Sequence, residues 1–120
     1  MRSCGVLFIF WVNHALACGY CVEDRIAAVY DHAAVTQAAA QKHAVVYFAI
    51  DGAIRDPASS LKAIIERTKG VEKGSARVSV EAGALAVSFD PRRTPLPKLQ
   101  QALEQKLKSR GLQLLLLDTK

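Results

Sequence analysis

Aromatic residues are scarce, at 7% of the chain, and none is interleaved with lysine or arginine. That argues against binding single-stranded nucleic acid by base stacking, and no nucleic-acid partner is expected. The formal charge of +5 is spread thinly, with no basic block, so it describes a mildly basic surface. No mature segment approaches the roughly 20 apolar residues a membrane-spanning helix needs. Leu112–Leu117 is only strand length, and Val6–Val12 is equally short. The G-x-x-x-x-G-K-[ST], G-x-S-x-G and H-E-x-x-H patterns are missing, and no catalytic triad can be assembled. What the chain does have is 51% hydrophobic residues in 120, enough for one small packed domain.

Met1-Arg2-Ser3, the apolar run VLFIFWV and the small–x–small triplet Ala15-Leu16-Ala17 together read as a secretory signal over residues 1–17. Cleavage after Ala17 removes Cys4 and leaves Cys18 first, with 15 basic and 11 acidic residues in the mature chain. The expected location is the periplasm or the medium of a bacterium. A lipoprotein box ending at Cys18 is the competing reading, though Ala15 stands where a larger aliphatic is usual.

Residues 18–42 form a segment of their own: the cysteines of CGYC, then an alanine-rich stretch without Gly or Pro. Val22, Ile26, Val29 and Tyr30 fall at helical spacing, predicting one helix over Val22–Gln41. Residues 43–120 alternate between periods. AVVYFAI at Ala44–Ile50 reads as a buried central strand. Asp56-Pro57 offers an N-cap with proline at the first helical position, followed by an apolar face of Leu61, Ile64, Ile65 and Thr68. Ala76, Val78 and Val80, then Leu85, Val87 and Phe89, alternate with smaller or polar residues about Ala82-Gly83, as in a hairpin with one buried face. Thr94-Pro95 opens a helix with Leu96, Leu99, Leu103 and Leu107 on one stripe, and LQLLLLD supplies a last strand. The expected fold is α+β, a ferredoxin-like βαββαβ sandwich with an antiparallel four-stranded sheet, preceded by an extra N-terminal helix.

The free face of that sheet would show Val45, Tyr47, Ala49, Ala84, Ala86 and Leu115, a larger patch than a monomer leaves bare. The alanine-rich helix is expected to cover it, in the same chain or in a homodimer.

From His43 to Leu117 the order resembles a heavy-metal-associated domain, the fold of small copper chaperones and metal-pump modules. GVEKGSARVSVEAGALAVSFDP carries the likeness, with Gly70-Val71 ending a helix and Phe89, Asp90 and Pro91 closing the hairpin. The resemblance implies metal ions and metal-handling proteins as partners. The family binds metal through two cysteines in the loop after its first strand, yet Asp51-Gly52-Ala53-Ile54-Arg55-Asp56 contains no Cys, His or Met. Those site residues do not transfer.

The candidate metal residues are therefore Cys18 and Cys21. Two sulfurs at C-x-x-C spacing reach one ion, soft thiolates suit copper(I) or zinc, and a helix amino terminus at Cys21 favours the thiolate. A structural zinc takes four ligands, so the pair needs donors from elsewhere. His32 would lie about 16 Å further along an unbroken helix; His43, the Cys18 amine or a second molecule remain. CGYC also resembles the active-site tetrapeptide of some periplasmic disulfide isomerases, though no mature strand precedes it. A structural disulfide or inert thiols are the third reading, with the chain a non-catalytic interaction domain. Asp31-His32 and Ser59-Ser60 read as solvated or locally bonded side chains. Arg92, Arg93, Lys98, Lys106, Lys108 and Arg110 form a solvated rim, with peripheral contact to anionic lipid the sharper alternative.

Overall fold

The β-branched and aromatic run after His43 becomes the centre of a sheet. In the computed structural model, which describes residues 21–120, β1 spans Ala44–Asp51 and is buried from Val45 to Ile50. The proposed leader and Cys18 lie outside the described residues. Two helices precede β1: α1 at Val22–Val29 and α2 at His32–Ala40. After it come α3 (Ala58–Glu66), β2 (Arg77–Ser79), β3 (Ala84–Phe89), α4 (Leu96–Lys108) and β4 (Gln113–Thr119). The strands are antiparallel in the order β2-β3-β1-β4, the ferredoxin-like arrangement the sequence predicts.

β1 lies inside the sheet with helices packed on both faces, and its alternation sends side chains into each layer. Val46, Phe48 and Ile50 point into one core with Leu85, Val87 and Phe89 of β3, Leu61 and Ile65 of α3, and Leu99, Leu103 and Leu107 of α4. Ile64, Val78 and Val80, expected in this core, are only partly buried. The two valines pack at its margin, because β2 is a short edge strand and Val80 already belongs to the turn.

Val45 and Tyr47 point the other way, with Ala82, Ala84 and Ala86, into a second core closed by Val29 and Ala38. Ile26, Val35 and Leu117 pack around it. The alanine-rich segment thus covers the free sheet face within one chain. Alanine on both sides of the contact lets helix and sheet approach closely. Leu115, expected under this cover, stays 63% exposed on β4.

The single helix expected over Val22–Gln41 is two. Tyr30 leaves helical geometry (ψ 132°), and Asp31 caps α2 by accepting from the Ala33 and Ala34 amides at 3.0 and 3.3 Å. A short carboxylate competes with the backbone for those donors, which stops one helix and starts the next. The same carboxylate receives Arg77 of β2, with Nη2 at 2.9 Å and Nε at 3.0 Å from Oδ2. Asp31 is therefore a structural tie between the helical layer and the sheet, not a solvated neighbour of His32.

The helices of the sandwich also start differently from expectation. Pro57 and Pro95 occupy the N-cap positions without a side-chain cap bond, and Asp56 is paired instead with Arg110 at 3.1 Å. α4 ends where Gly111 turns to φ +72°, and the Gly111 and Leu112 amides donate to the Lys108 and Leu107 carbonyls at 3.0 and 3.2 Å. That pair of bonds closes the last turn and brings buried Leu112 back over buried Leu107.

Candidate metal centre

The loop after β1 is where the resemblance places metal donors, and here it is built from other chemistry. Asp51 closes β1 opposite Gln113 and is exposed. Gly52 follows with φ +120°, and a Cβ on it would lie 2.6 Å from the Gly111 carbonyl oxygen. Only glycine fits a backbone passing so close to another. Ile54 packs on the α-side core, and Asp56 is held by Arg110. An apolar anchor and an ion pair therefore fix the loop against the α4–β4 turn. Arg55 and Arg110 offset the charges of Asp51 and Asp56, so the loop offers no net negative charge to draw a cation. The residues present do not fit a metal ion.

Cys21 stands elsewhere, at the head of α1. It is free and exposed, in extended geometry (φ −85°, ψ 172°), and its carbonyl accepts the Arg25 amide at 3.0 Å. The thiol makes no cap bond, so it is open to solvent and to a ligand. Glu23 and Asp24 fill the first turn of α1 as the sequence indicates. Cys18, its expected partner, lies outside the described residues. Among the described residues no three His, Cys, Asp or Glu side chains form a group able to hold a metal ion.

The histidines considered as extra donors are engaged otherwise. His32 no longer sits on the helix of Cys21, because the chain breaks at Tyr30-Asp31; its Nδ1 lies 3.2 Å from the Tyr30 hydroxyl. His43, mostly buried at the entry to β1, has Nδ1 3.3 Å from Glu72 Oε2 and Nε2 3.9 Å from Asp90 Oδ2. The first contact misses hydrogen-bond geometry, so His43 lies between the two carboxylates, at the junction of α2 with the sandwich, without a hydrogen bond through Nδ1. Arg92 bonds Asp90 and, with a smaller contribution from His43, holds that carboxyl below the usual carboxylate range. Arg77 does the same to Asp31.

Sequence reasoning missed both ion-pair clusters. Asp31 did carry a signal, a capping residue two positions before Ala33-Ala34, but the lack of Gly or Pro on either side masked it. The His43–Glu72–Asp90 group joins three loops distant in sequence and leaves no local pattern.

No protein-family model matches the chain, and neither does any curated protein. Solved structures do. One is a copper binding domain from HMA7, a P-type ATPase, at 19% identity and a TM-score of 0.51, covering 64% of this chain and 97% of that one. Another is the N-terminal domain of a potential copper-translocating P-type ATPase from Bacillus subtilis in the Cu(I)-loaded state, at 19% identity and 0.50, covering 65% and 91%. The chain has the fold of heavy-metal-associated domains, without sulfur or imidazole in the loop after β1.

Proposed function

We propose that the protein is a small exported bacterial module that takes copper(I) or zinc as cargo through Cys18 and Cys21. The supporting observation is the exposed, unbonded Cys21 thiol at the head of a helix packed on the sheet, in a fold whose usual metal loop holds no soft donor. With the donors away from that loop, Cys21 stands at the head of a helix packed on the sheet and its thiol is open to a partner. Two thiolates give a low-coordinate copper(I) ion a complete site, whereas zinc needs two further donors from a metal-handling partner or a second copy. The leader supports export, and the mature mass should lack residues 1–17.

Native mass spectrometry of the reduced, untagged mature protein tests the reading. Offered copper(I), it should bind one ion per chain, and offered zinc, one ion shared between two chains; Cys21→Ser should abolish uptake of either. A reversible loss of two hydrogens without metal uptake would instead support a thiol-disulfide protein.

A further inference from the structure

The helical layer does not close fully on the sandwich. Asp31, at the head of α2, is tied to Arg77 of β2, and His43, just past its end, lies 3.3 Å from Glu72. Between these two ties a cleft of about 150 Å³ lies along α2, against the loop Glu72–Ser75 and the end of β3. The α2 wall is mostly alanine, too short to reach across. Polar groups meet there from both layers: Gln37 and Gln41 of α2, then Glu72, Lys73 and Ser88. Ser88 shares its face of β3 with Ala84 and Ala86, is only 6% exposed, and its hydroxyl bonds no described residue. A hydroxyl so deeply buried takes a partner where one is in reach. The other polar walls are already engaged. Arg77 bonds Asp31 through Nε and Nη2, and the Gly74 and Ala76 carbonyls through Nη1 at 2.9 and 3.0 Å. Ser75 donates to the Glu72 carbonyl at 2.6 Å and accepts the Ser88 amide at 3.0 Å. Two charges of opposite sign are left without a hydrogen-bonded partner among the described residues. Lys73 is in no ion pair, and the contact of Glu72 with His43 misses hydrogen-bond geometry.

We infer that this cleft binds a small α-amino acid, with its carboxylate toward Lys73 and its ammonium toward Glu72. Opposite charges on neighbouring residues of one wall match a zwitterion, whereas a simple anion or cation meets one attraction and one repulsion. Size limits the side chain. A cavity of about 150 Å³ admits benzene, so about six non-hydrogen atoms fit here, the count of alanine. The Gln37 and Gln41 amides and the Ser88 hydroxyl supply the few neutral donors and acceptors that fix orientation in such sites. Because the walls come from two layers, an occupant ties α2 to the sandwich. The site uses neither cysteine and is independent of the metal reading.

Amide chemical-shift titration of the isotope-labelled mature protein with alanine, reduced and with a chelator present, tests this. Saturable shifts at millimolar or lower alanine are expected at Gln37, Gln41, Lys73, Gly74 and Ser88, and α2 amides should gain protection from hydrogen exchange. Acetate and methylammonium, each carrying half of the charge pattern, should bind more weakly than alanine, and phenylalanine should be excluded by size. Lys73→Gln and Glu72→Gln should each weaken alanine about fivefold or more, the worth of a charge-assisted bond in a half-exposed cleft, with circular dichroism unchanged. Ser88→Ala should weaken it too, and Cys18→Ser/Cys21→Ser should not. Shifts that fail to saturate or fall elsewhere would overturn the proposal. So would acetate or phenylalanine binding as well as alanine, or alanine binding indifferent to both Lys73→Gln and Glu72→Gln.

Discussion

Val29→Ala asks whether the helical layer is part of the folding unit or a detachable cover. Val29 is 4% exposed and closes the second core over Tyr47 and Ala86. The change deletes two methyl groups, at about 0.8 kcal/mol each for the transfer alone. A cavity contribution adds to this, because the facing residues Ala38, Ala84 and Ala86 are too short to move into the space. The sum is about 1.5–3 kcal/mol. In urea denaturation, far-ultraviolet circular dichroism and tyrosine fluorescence should report one shared transition, moved to lower denaturant with its slope unchanged. A loss below about 0.5 kcal/mol, of the size seen for surface changes, would show that Val29 does not close a core. So would two separate transitions in which the main midpoint stays put, since the helices would then open on their own.

Phe89→Ala empties a site 1% exposed in the α-side core and should cost about 3–5 kcal/mol in the same assay; a cost near 1 would show that the strand faces are misassigned. Gly52→Ala combines positive φ with a clash on the Gly111 carbonyl, so a loss above about 1 kcal/mol is expected, and a neutral result would show the two turns are not in contact. Burial, with Tyr30 and Asp118 adding to it, pushes the Tyr47 phenol above its ordinary 10.0. The folded state then holds that proton more tightly than the unfolded chain. Its stabilising contribution is complete below about pH 10 and fades as pH rises through the folded-state value. Tyr47→Phe should flatten the alkaline fall in stability, and an unchanged fall would contradict the assignment.

Period-2 and period-3.6 patterns made most of the sandwich legible. β1, β3, α4 and the hairpin follow from residues whose alternation or stripe leaves one packing solution, as with Val46, Phe48, Val87 and Phe89. The covered sheet face was legible too, since Val45, Tyr47, Ala84 and Ala86 had to be hidden somewhere. The break at Asp31 was not, because it depends on Arg77, 46 residues away, as well as on local capping. Leu115 was misjudged because the helical layer covers the middle of the sheet and leaves its β4 edge bare. The candidate site was readable only as a spacing, C-x-x-C. A pair of thiols names soft-metal or redox chemistry equally well, and the contacts that separate them involve donors the local sequence does not specify.

In the proposed function the metal donors are Cys18 and Cys21, and the loop after β1 supplies none. Amide chemical-shift mapping on addition of copper(I) to the reduced, isotope-labelled protein tests it most directly. The largest perturbations should fall from Cys18 through Arg25, with Asp51–Asp56 unmoved, and the pattern should vanish in Cys18→Ser/Cys21→Ser. Perturbations centred on Asp51–Asp56, or binding that survives loss of both cysteines, would contradict it.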